Sequence, residues 1–159
     1  MGEAMPEQSI RPVRHHTFVI ERRYPSARER VFAAFSDPAK KRKWFASGEK
    51  AQIDEYTLDF RVGGRERTRF RTPAGVCTNE TVYQEIVPNQ YIVFAYTMAM
   101  GDKCFSSSQA TVEFLPKDQG TRLLFTEQGA YFEGADGPAM REEGWNKLLD
   151  QLTSRLADD

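Results

Sequence analysis

Glu127 is the side chain of this sequence with the strongest potential for acid–base chemistry. It lies near the end of a predicted strand, where period-2 alternation places it on the same face as Leu123 and Phe125. A carboxylate in an apolar pocket has a raised pKa and can act as a general acid or base, as in a cyclase or hydrolase. Carboxylates at strand ends are usually solvated, however, which favours a position of Glu127 at the rim of a pocket, in water. Asp59 and Glu80 are weaker candidates for the same role.

Metal, nucleotide and nucleophile sites have little support in this sequence. His15 and His16 are the only histidines and lack a neighbouring cysteine or carboxylate cluster, so we expect no metal site. Cys77 and Cys104 match no metal or redox spacing, and we expect both to be free thiols in a reducing compartment. Because the chain also has no Gly-x-Ser-x-Gly, phosphate-loop or dinucleotide pattern, we expect no cofactor.

Aromatic side chains are the other candidate binding groups, because rings suit the wall of an apolar ligand pocket. The predicted ligand-binding residues come from several elements along the chain: Trp44, Phe60, Phe70, Tyr83, Tyr96, Phe125, Glu127, Trp145 and Leu149. Among them, Glu127 would be the polar contact. Aromatic residues also dominate protein cores, so the sequence leaves open whether these rings line a cavity or fill it.

The first third of the chain must position these residues through a strand and two short helices. Residues 1–14 show no hydrophobic period and are expected to form a flexible arm, with a single domain over residues 15–159. The segment "HTFVIERRY" alternates as a strand. Ser26 and Glu29 have the spacing of a capping box for a first helix. Asp37, followed by Pro38, is typical of the cap and first turn of a second short helix.

The remaining sequence predicts an antiparallel meander followed by one long helix. About six short alternating runs are separated by turn residues, and the final helix has a single apolar stripe formed by Trp145, Leu148, Leu149, Leu152 and Leu156. A sheet of about seven strands must curl, because the twist between strands accumulates. One amphipathic helix cannot cover such a sheet densely along its length, so we expect a space between sheet and helix.

The order of these elements resembles the helix-grip fold of the START and Bet v 1-like (SRPBCC) superfamily. Four motifs are similar to its bacterial branch related to the activator of the heat-shock-protein-90 ATPase, over about residues 16–157: "RYPSARERVFAAFSDPAKKRKWF", "DFRVGGRERTRF", "VYQEIVPNQYIVF" and "GWNKLLDQL". The resemblance implies an α+β helix-grip fold, with a curved antiparallel sheet of about seven strands around a long C-terminal helix and a ligand-sized cavity between them. It does not imply one reaction, because this superfamily includes binders, cyclases, transporters and co-chaperones.

Basic residues are concentrated in two segments. The glycines in "VGGRERTRFR" are followed by a period-2 strand, whereas a phosphate loop would lead into a helix, so we predict a hairpin bend. Alternation places one group of arginines on the outer face of that strand: Arg65, Arg67, Arg69 and Arg71. The second short helix carries four further basic residues, which we interpret as a solvated face: Lys40, Lys41, Arg42 and Lys43.

Overall charge excludes some classes of partner. The chain has 22 basic and 23 acidic residues, a balance that argues against a nucleic-acid binder. With no secretory signal, and a longest apolar run of about half a membrane span, we expect a cytoplasmic protein without a membrane partner, as a monomer or homodimer. The leading hypothesis is binding of a small hydrophobic or amphipathic ligand. The alternatives are a co-chaperone-like factor with a protein partner, and a cyclase or hydrolase that uses Glu127.

Overall fold

The computed structural model describes residues 12–47, 52–132 and 137–158. Within these ranges the elements are β1 (Arg14–Tyr24), α1 (Arg28–Ser36), α2 (Pro38–Phe45), β2 (Gln52–Leu58), β3 (Arg65–Thr72), β4 (Gly75–Val87), β5 (Tyr91–Met100), β6 (Lys103–Lys117), β7 (Gly120–Tyr131) and α3 (Pro138–Asp158). The predicted order of strand, two helices, six strands and long helix is confirmed. Of the arm predicted over residues 1–14, residues 1–11 lie outside the described residues, and β1 begins at Arg14.

The strands form one antiparallel sheet in the order β1-β7-β6-β5-β4-β3-β2. From β2 to β7 each strand pairs with its neighbour in sequence, whereas β1 pairs with β7, so that Phe18 lies opposite Glu127 and Ile20 opposite Phe125. The helices α1 and α2 carry the chain from the β1 edge to the β2 edge. Leu149 and Leu152 of α3 are fully buried against the inner face of the sheet. The predicted α+β helix-grip arrangement is therefore confirmed.

Aromatic contacts fill the core where the helices meet the sheet. The ring centroids of Phe125 and Trp145 lie 4.2 Å apart, which joins β7 to α3. Trp44 of α2 is fully buried and packs edge-on against Phe35 of α1 with a centroid distance of 4.9 Å. Its indole N–H donates to the Ala34 carbonyl at 2.9 Å, so the polar atom of this buried ring is satisfied. Trp44 therefore fastens α2 to α1.

The first turn of α2 is capped as the sequence predicts. Asp37 is the N-cap residue, and its Oδ1 accepts hydrogen bonds from the amides of Ala39 at 2.9 Å and Lys40 at 3.3 Å. Pro38 occupies the first helical position, where its missing N–H leaves no hydrogen bond unmade. This cap fixes where α2 starts and hence which of its residues face the sheet.

The capping box predicted for α1 is wrong. The N-cap position is taken by Ala27, which makes no side-chain hydrogen bond, and the helix begins at Arg28. Ser26 lies one residue too early to cap the helix. Its hydroxyl instead accepts a hydrogen bond from the Arg30 guanidinium at 3.2 Å. Ser26 and Glu29 thus have the spacing of a capping box, but Ser26 does not occupy the N-cap position.

Gly63 and Gly64 form the bend between β2 and β3, as predicted. Gly63 has a φ of 81°, a left-handed conformation that favours glycine. A Cβ on Gly64 would lie 2.0 Å from the Asp59 carbonyl oxygen. The Gly63 N–H donates to the Tyr83 carbonyl at 2.8 Å, and the Tyr83 N–H donates to the Gly64 carbonyl at 3.0 Å. The glycine pair therefore turns the chain and also continues the pairing of this hairpin with β4.

The two faces of β3 differ as alternation predicts. Glu66 and Thr68 are buried on the inner face, while Arg65 and Arg71 are exposed on the outer face. Three of the outer arginines lie near acids: Arg67 is 3.5 Å from Glu80, Arg69 is 4.0 Å from Glu55, and Arg71 is 2.9 Å from Asp54. Among the helices in the described ranges, none has both the length and the apolar character needed to cross a membrane.

Candidate functional site

A cavity of about 470 Å³ lies between the inner face of the sheet and α3, and it is partly open to solvent. Most of its wall is apolar, with a few polar groups between the apolar side chains. The lining residues are Phe45, Ser47, Ile53, Thr68, Phe70, Asn79, Tyr96, Met98, Phe105, Met140, Arg141, Gly144, Trp145, Lys147, Leu148 and Gln151. The strands β2 to β6, the end of α2 and the part of α3 from Met140 to Gln151 therefore all contribute to this wall.

The predicted ligand-binding residues divide into two groups. Phe70, Tyr96 and Trp145 line the cavity. The others face inward, but they lie behind the wall, in the packed interior: Trp44, Phe60, Tyr83, Phe125, Glu127 and Leu149. The helices cover that part of the sheet closely, and for example the Phe60 ring packs edge-on against Phe32 with centroids 5.7 Å apart. The rings therefore fill a core at one part of the sheet and line a cavity at another.

The polar wall residues were missed from the sequence. Thr68 and Asn79 both line the cavity and lie opposite each other in the β3–β4 ladder. The available signal was alternation, because Thr68 shares the inner face of β3 with Phe70. From the sequence alone, a threonine or an asparagine in a strand can be exposed or buried. Which of the two applies depends on where the helix covers the sheet.

Glu127 is fully buried, with 0% of its surface exposed, and the expected position at a solvated rim is wrong. The reason is that β7 continues to Tyr131, so Glu127 lies within the strand and not at its end. Its neighbours in the ladder are Phe18 of β1 and Ala110 of β6, both buried. A carboxylate at such a position needs partners that compensate its charge.

Three side chains supply those partners. The Tyr96 hydroxyl donates to Oε1 of Glu127, and the Tyr131 hydroxyl donates to Oε2 at 3.2 Å. Arg141, from the start of α3, places Nη1 at 3.4 Å from Oε2, and its side chain is 10% exposed. Both carboxylate oxygens are therefore engaged, and Glu127 lies behind the wall residues Tyr96 and Arg141. This geometry favours a structural role for Glu127 over proton transfer to a ligand.

The Tyr96 hydroxyl is the centre of this arrangement, which we call the Glu127 cluster (Glu127, Tyr96, Tyr131, Arg141 and Trp145). Besides donating to Glu127, it accepts from Arg141 Nη1 at 3.0 Å and from the Trp145 indole at 3.0 Å. These bonds use its one donor and both of its acceptor positions. Burial, followed by the charge of Glu127, raises the pKa of Tyr96 far above its usual value. The same two causes raise the pKa of Tyr131 to about 12, so both hydroxyls stay protonated donors.

Lys41 is 2% exposed, and the prediction that it belongs to a solvated basic face is wrong. It lies one helical turn before Trp44, on the side of α2 that faces the sheet. Its ammonium group donates to Oε1 of Glu66 at 2.8 Å and to the Tyr83 hydroxyl at 3.2 Å. The Phe45 ring centroid lies 4.4 Å from the same nitrogen, a favourable cation–π distance. Of the four basic residues in α2, Lys40, Arg42 and Lys43 remain exposed.

Glu66 completes a second buried arrangement, the Lys41 cluster (Lys41, Glu66, Tyr56 and Tyr83). Its Oε1 also accepts from Tyr83 at 2.9 Å, and its Oε2 accepts from Tyr56 at 2.7 Å. Burial, followed by the charge of Glu66, raises the pKa of both tyrosines, so they remain donors. The cluster fastens α2 to β2, β3 and β4, beside the cavity.

The raised tyrosine pKa values predict a loss of stability above pH 10. Burial raises the pKa of Tyr24 to about 12, against about 10 in an unfolded chain. Below pH 10 both states are protonated and stability is complete. Between pH 10 and 12 the unfolded state releases a proton that the folded state keeps, so folding is weakened by about 1 kcal/mol at pH 11 from this tyrosine. Urea midpoints at pH 9 and 11 measure the loss, which should be smaller in Tyr24→Phe. An equal loss in both proteins would contradict the assignment.

The histidines and cysteines form no metal site in the described part of the chain. His15 and His16 are exposed on β1. Cys77 is buried on β4, and Cys104 is half-buried on β6. Among the described residues, no group of three or more histidine, cysteine, aspartate or glutamate side chains is placed to hold a metal ion.

A curved antiparallel sheet that grips one long C-terminal helix, with an apolar cavity between them, defines a helix-grip protein. The chain belongs to the family described as Activator of Hsp90 ATPase homolog 1-like protein, whose model matches residues 25–157. The resemblance carried by the four sequence motifs is thereby confirmed.

Solved structures of bacterial proteins share this fold over nearly the whole chain. A protein from Rhizobium loti is 46% identical, with a TM-score of 0.84 over 91% of this chain and 99% of that one. An uncharacterised protein from Rhizobium leguminosarum is 38% identical, with a TM-score of 0.90 over 94% and 99%. A Chromobacterium violaceum protein is 27% identical, with a TM-score of 0.70 over 87% and 94%. Among curated proteins, none matches the chain significantly.

Proposed function

We propose that this protein binds a small hydrophobic or amphipathic ligand in the cavity between the sheet and α3. The observation that carries the proposal is the cavity itself, whose volume of about 470 Å³ falls within the usual range for small-molecule sites. Its apolar wall includes Phe70, Met98 and Leu148. Covering such surface with a ligand stabilises the complex by about 25 cal/mol per Å² of apolar area.

The two buried clusters support this proposal, because each fixes a helix that contributes to the cavity wall. The Lys41 cluster fixes α2 against the strands, and the Glu127 cluster fixes the start of α3 above β5 and β7. Fully satisfied buried polar networks rigidify the structure around them. A cavity between rigid walls does not have to be opened by the ligand. Affinity is higher when the residues of the binding site are already ordered before the ligand binds.

Binding of an uncharged fluorescent probe tests the proposal. We expect N-phenyl-1-naphthylamine to bind with micromolar affinity and one molecule per chain, measured by its fluorescence increase and by native mass spectrometry. Gly144→Phe should weaken binding about tenfold or more. Gly144 lines the cavity, and a Cβ there would meet no atom within 4 Å, so a side chain can start from this position, and a phenyl ring should occupy part of the space open to the probe. The fold should persist, since replacing a helical glycine improves helix propensity.

Gly144→Ala is the matched control for this experiment. It also replaces the helical glycine with a better helix former but adds only a methyl group at the cavity, so its affinity should stay within about twofold of the wild type. Absence of binding by the wild-type protein would refute the proposed function. Equal affinities for all three proteins would show that the probe binds elsewhere.

The protein-interaction hypothesis has less support from the geometry than ligand binding. Lys41 was predicted to belong to a basic face on α2, but its side chain is buried in the interior. On the outer face of the sheet, Arg67 lies 3.5 Å from Glu80, and Arg71 lies 2.9 Å from Asp54. Because these arginine charges are balanced within the chain, they offer little excess charge to an acidic partner.

A further inference from the structure

On the premise that the cavity binds a ligand as proposed above, we infer that this ligand is uncharged and places one hydrogen-bonding oxygen against Thr68 and Asn79. The Thr68 hydroxyl carries the inference. Thr68 is 4% exposed and lines the cavity, and its Oγ1 is buried without a hydrogen-bond partner among the described residues. A buried hydroxyl is nearly always hydrogen-bonded, so one without a partner on a cavity wall marks the place where a polar atom of a ligand fits.

Asn79 supplies a donor beside this hydroxyl. It faces Thr68 across the β3–β4 ladder, and both residues line the cavity. The Oδ1 of Asn79 accepts a hydrogen bond from the Thr81 hydroxyl at 3.1 Å, which orients the amide. Its NH₂ group then remains available to donate a hydrogen bond to a ligand. A carbonyl or hydroxyl oxygen can accept from both the Asn79 amide and the Thr68 hydroxyl, and a hydroxyl group can also donate to Thr68.

The charged side chains that line the cavity are already paired, which disfavours a charged head group beside Thr68. Of the lining residues that the structure describes, Arg141 and Lys147 are the charged ones. Arg141 is paired with the buried Glu127 at 3.4 Å, and Lys147 is paired with Glu143 at 3.2 Å on the exposed side of α3. In the nearby Lys41 cluster, the charges of Lys41 and Glu66 also balance each other. A carboxylate or ammonium group beside Thr68 would therefore be buried without a counter-charge, which is strongly unfavourable.

Four probes with the same ten-carbon chain test the inference: decane, 1-decanol, decanoate and decylammonium. Each is titrated against bound N-phenyl-1-naphthylamine at neutral pH. We expect 1-decanol to bind about tenfold more tightly than either ion. Thr68→Val keeps the shape of the side chain but removes the hydroxyl, and it should weaken 1-decanol about fivefold while decane and the fluorophore change less than twofold. Thr68→Ser, which retains the hydroxyl, should bind 1-decanol like the wild type.

Thr126→Val is the control, because it makes the same substitution on the outer face of β7, away from the cavity. It should change none of the affinities. If decanoate or decylammonium competes as well as 1-decanol, the uncharged class is wrong, while ligand binding in the cavity stands. Equal affinity of wild type and Thr68→Val for 1-decanol would overturn the assignment to Thr68. If the fluorophore does not bind at all, the proposed function fails and this inference fails with it.

Discussion

Lys41→Met is expected to lower the free energy of unfolding by about 3–5 kcal/mol, as measured by urea denaturation. Methionine fills a similar volume, so the loss comes from electrostatics and not from a cavity. The substitution leaves Glu66, whose side chain is 3% exposed, as a buried carboxylate without its counter-ion at 2.8 Å. Tyr56 and Tyr83 still donate to it, but neither neutralises its charge.

Lys40→Met is the matched control, because Lys40 is the neighbouring residue of the same helix and is exposed. Its effect should remain below about 0.5 kcal/mol. The double variant Lys41→Met, Glu66→Gln should be more stable than Lys41→Met alone. Glutamine removes the uncompensated charge and keeps an oxygen that accepts from the tyrosines. Similar losses for Lys40→Met and Lys41→Met would show that the buried ion pair is not formed in solution.

Arg141→Met is expected to lower the free energy of unfolding by about 3 kcal/mol, for a related reason. Glu127 would keep the hydroxyls of Tyr96 and Tyr131 but lose its cation. The substitution also removes the side chain that fastens the start of α3 to β5 and β6. We therefore expect faster amide hydrogen exchange in the first two turns of α3, and weaker binding of N-phenyl-1-naphthylamine because that part of the wall becomes mobile.

Lys147→Met provides the comparison on the same helix. Lys147 is 72% exposed and pairs with Glu143 on the helix surface, an interaction of about 0.3–0.5 kcal/mol. Its loss should leave both stability and amide exchange close to wild type. Adding Glu127→Gln to Arg141→Met should recover part of the lost stability. If Arg141→Met is as stable as Lys147→Met, the role assigned to the Glu127 cluster is wrong.

Local patterns were sufficient to predict most of the fold. Alternation along β3 placed its arginines on the outer face, which leaves Glu66, Thr68 and Phe70 for the inner face, where they are found. The Asp37 cap also predicted the start of α2 correctly. The failed capping box at Ser26 shows the limit of such patterns, because the same spacing occurs in a helix that starts one residue later. Periodicity and capping residues thus predict elements well and their first residue less well.

The candidate site was less predictable, because its chemistry depends on side chains that come from different elements. Lys41 is one of four adjacent basic residues, and charge alone does not distinguish it from Lys40. Two signals could have identified it: its position one turn before Trp44, and the inward alternation of Glu66, an acid that requires a buried cation. Glu127 was misplaced because the length of β7 was underestimated, and its partner Arg141 belongs to α3, whose position above the sheet is set by tertiary packing.

The pairing of β1 with β7 has a consequence for the order of folding. Residues opposite each other in this ladder, such as Ile20 and Phe125, are about a hundred positions apart along the chain. The strands β2 to β7 can pair as successive hairpins, each of which closes a short loop. Pairing β1 with β7 instead closes a loop that contains almost the whole domain, and its entropic cost is larger. We therefore expect the meander to become structured early and β1 to dock late, when Phe18 and Ile20 complete the interior.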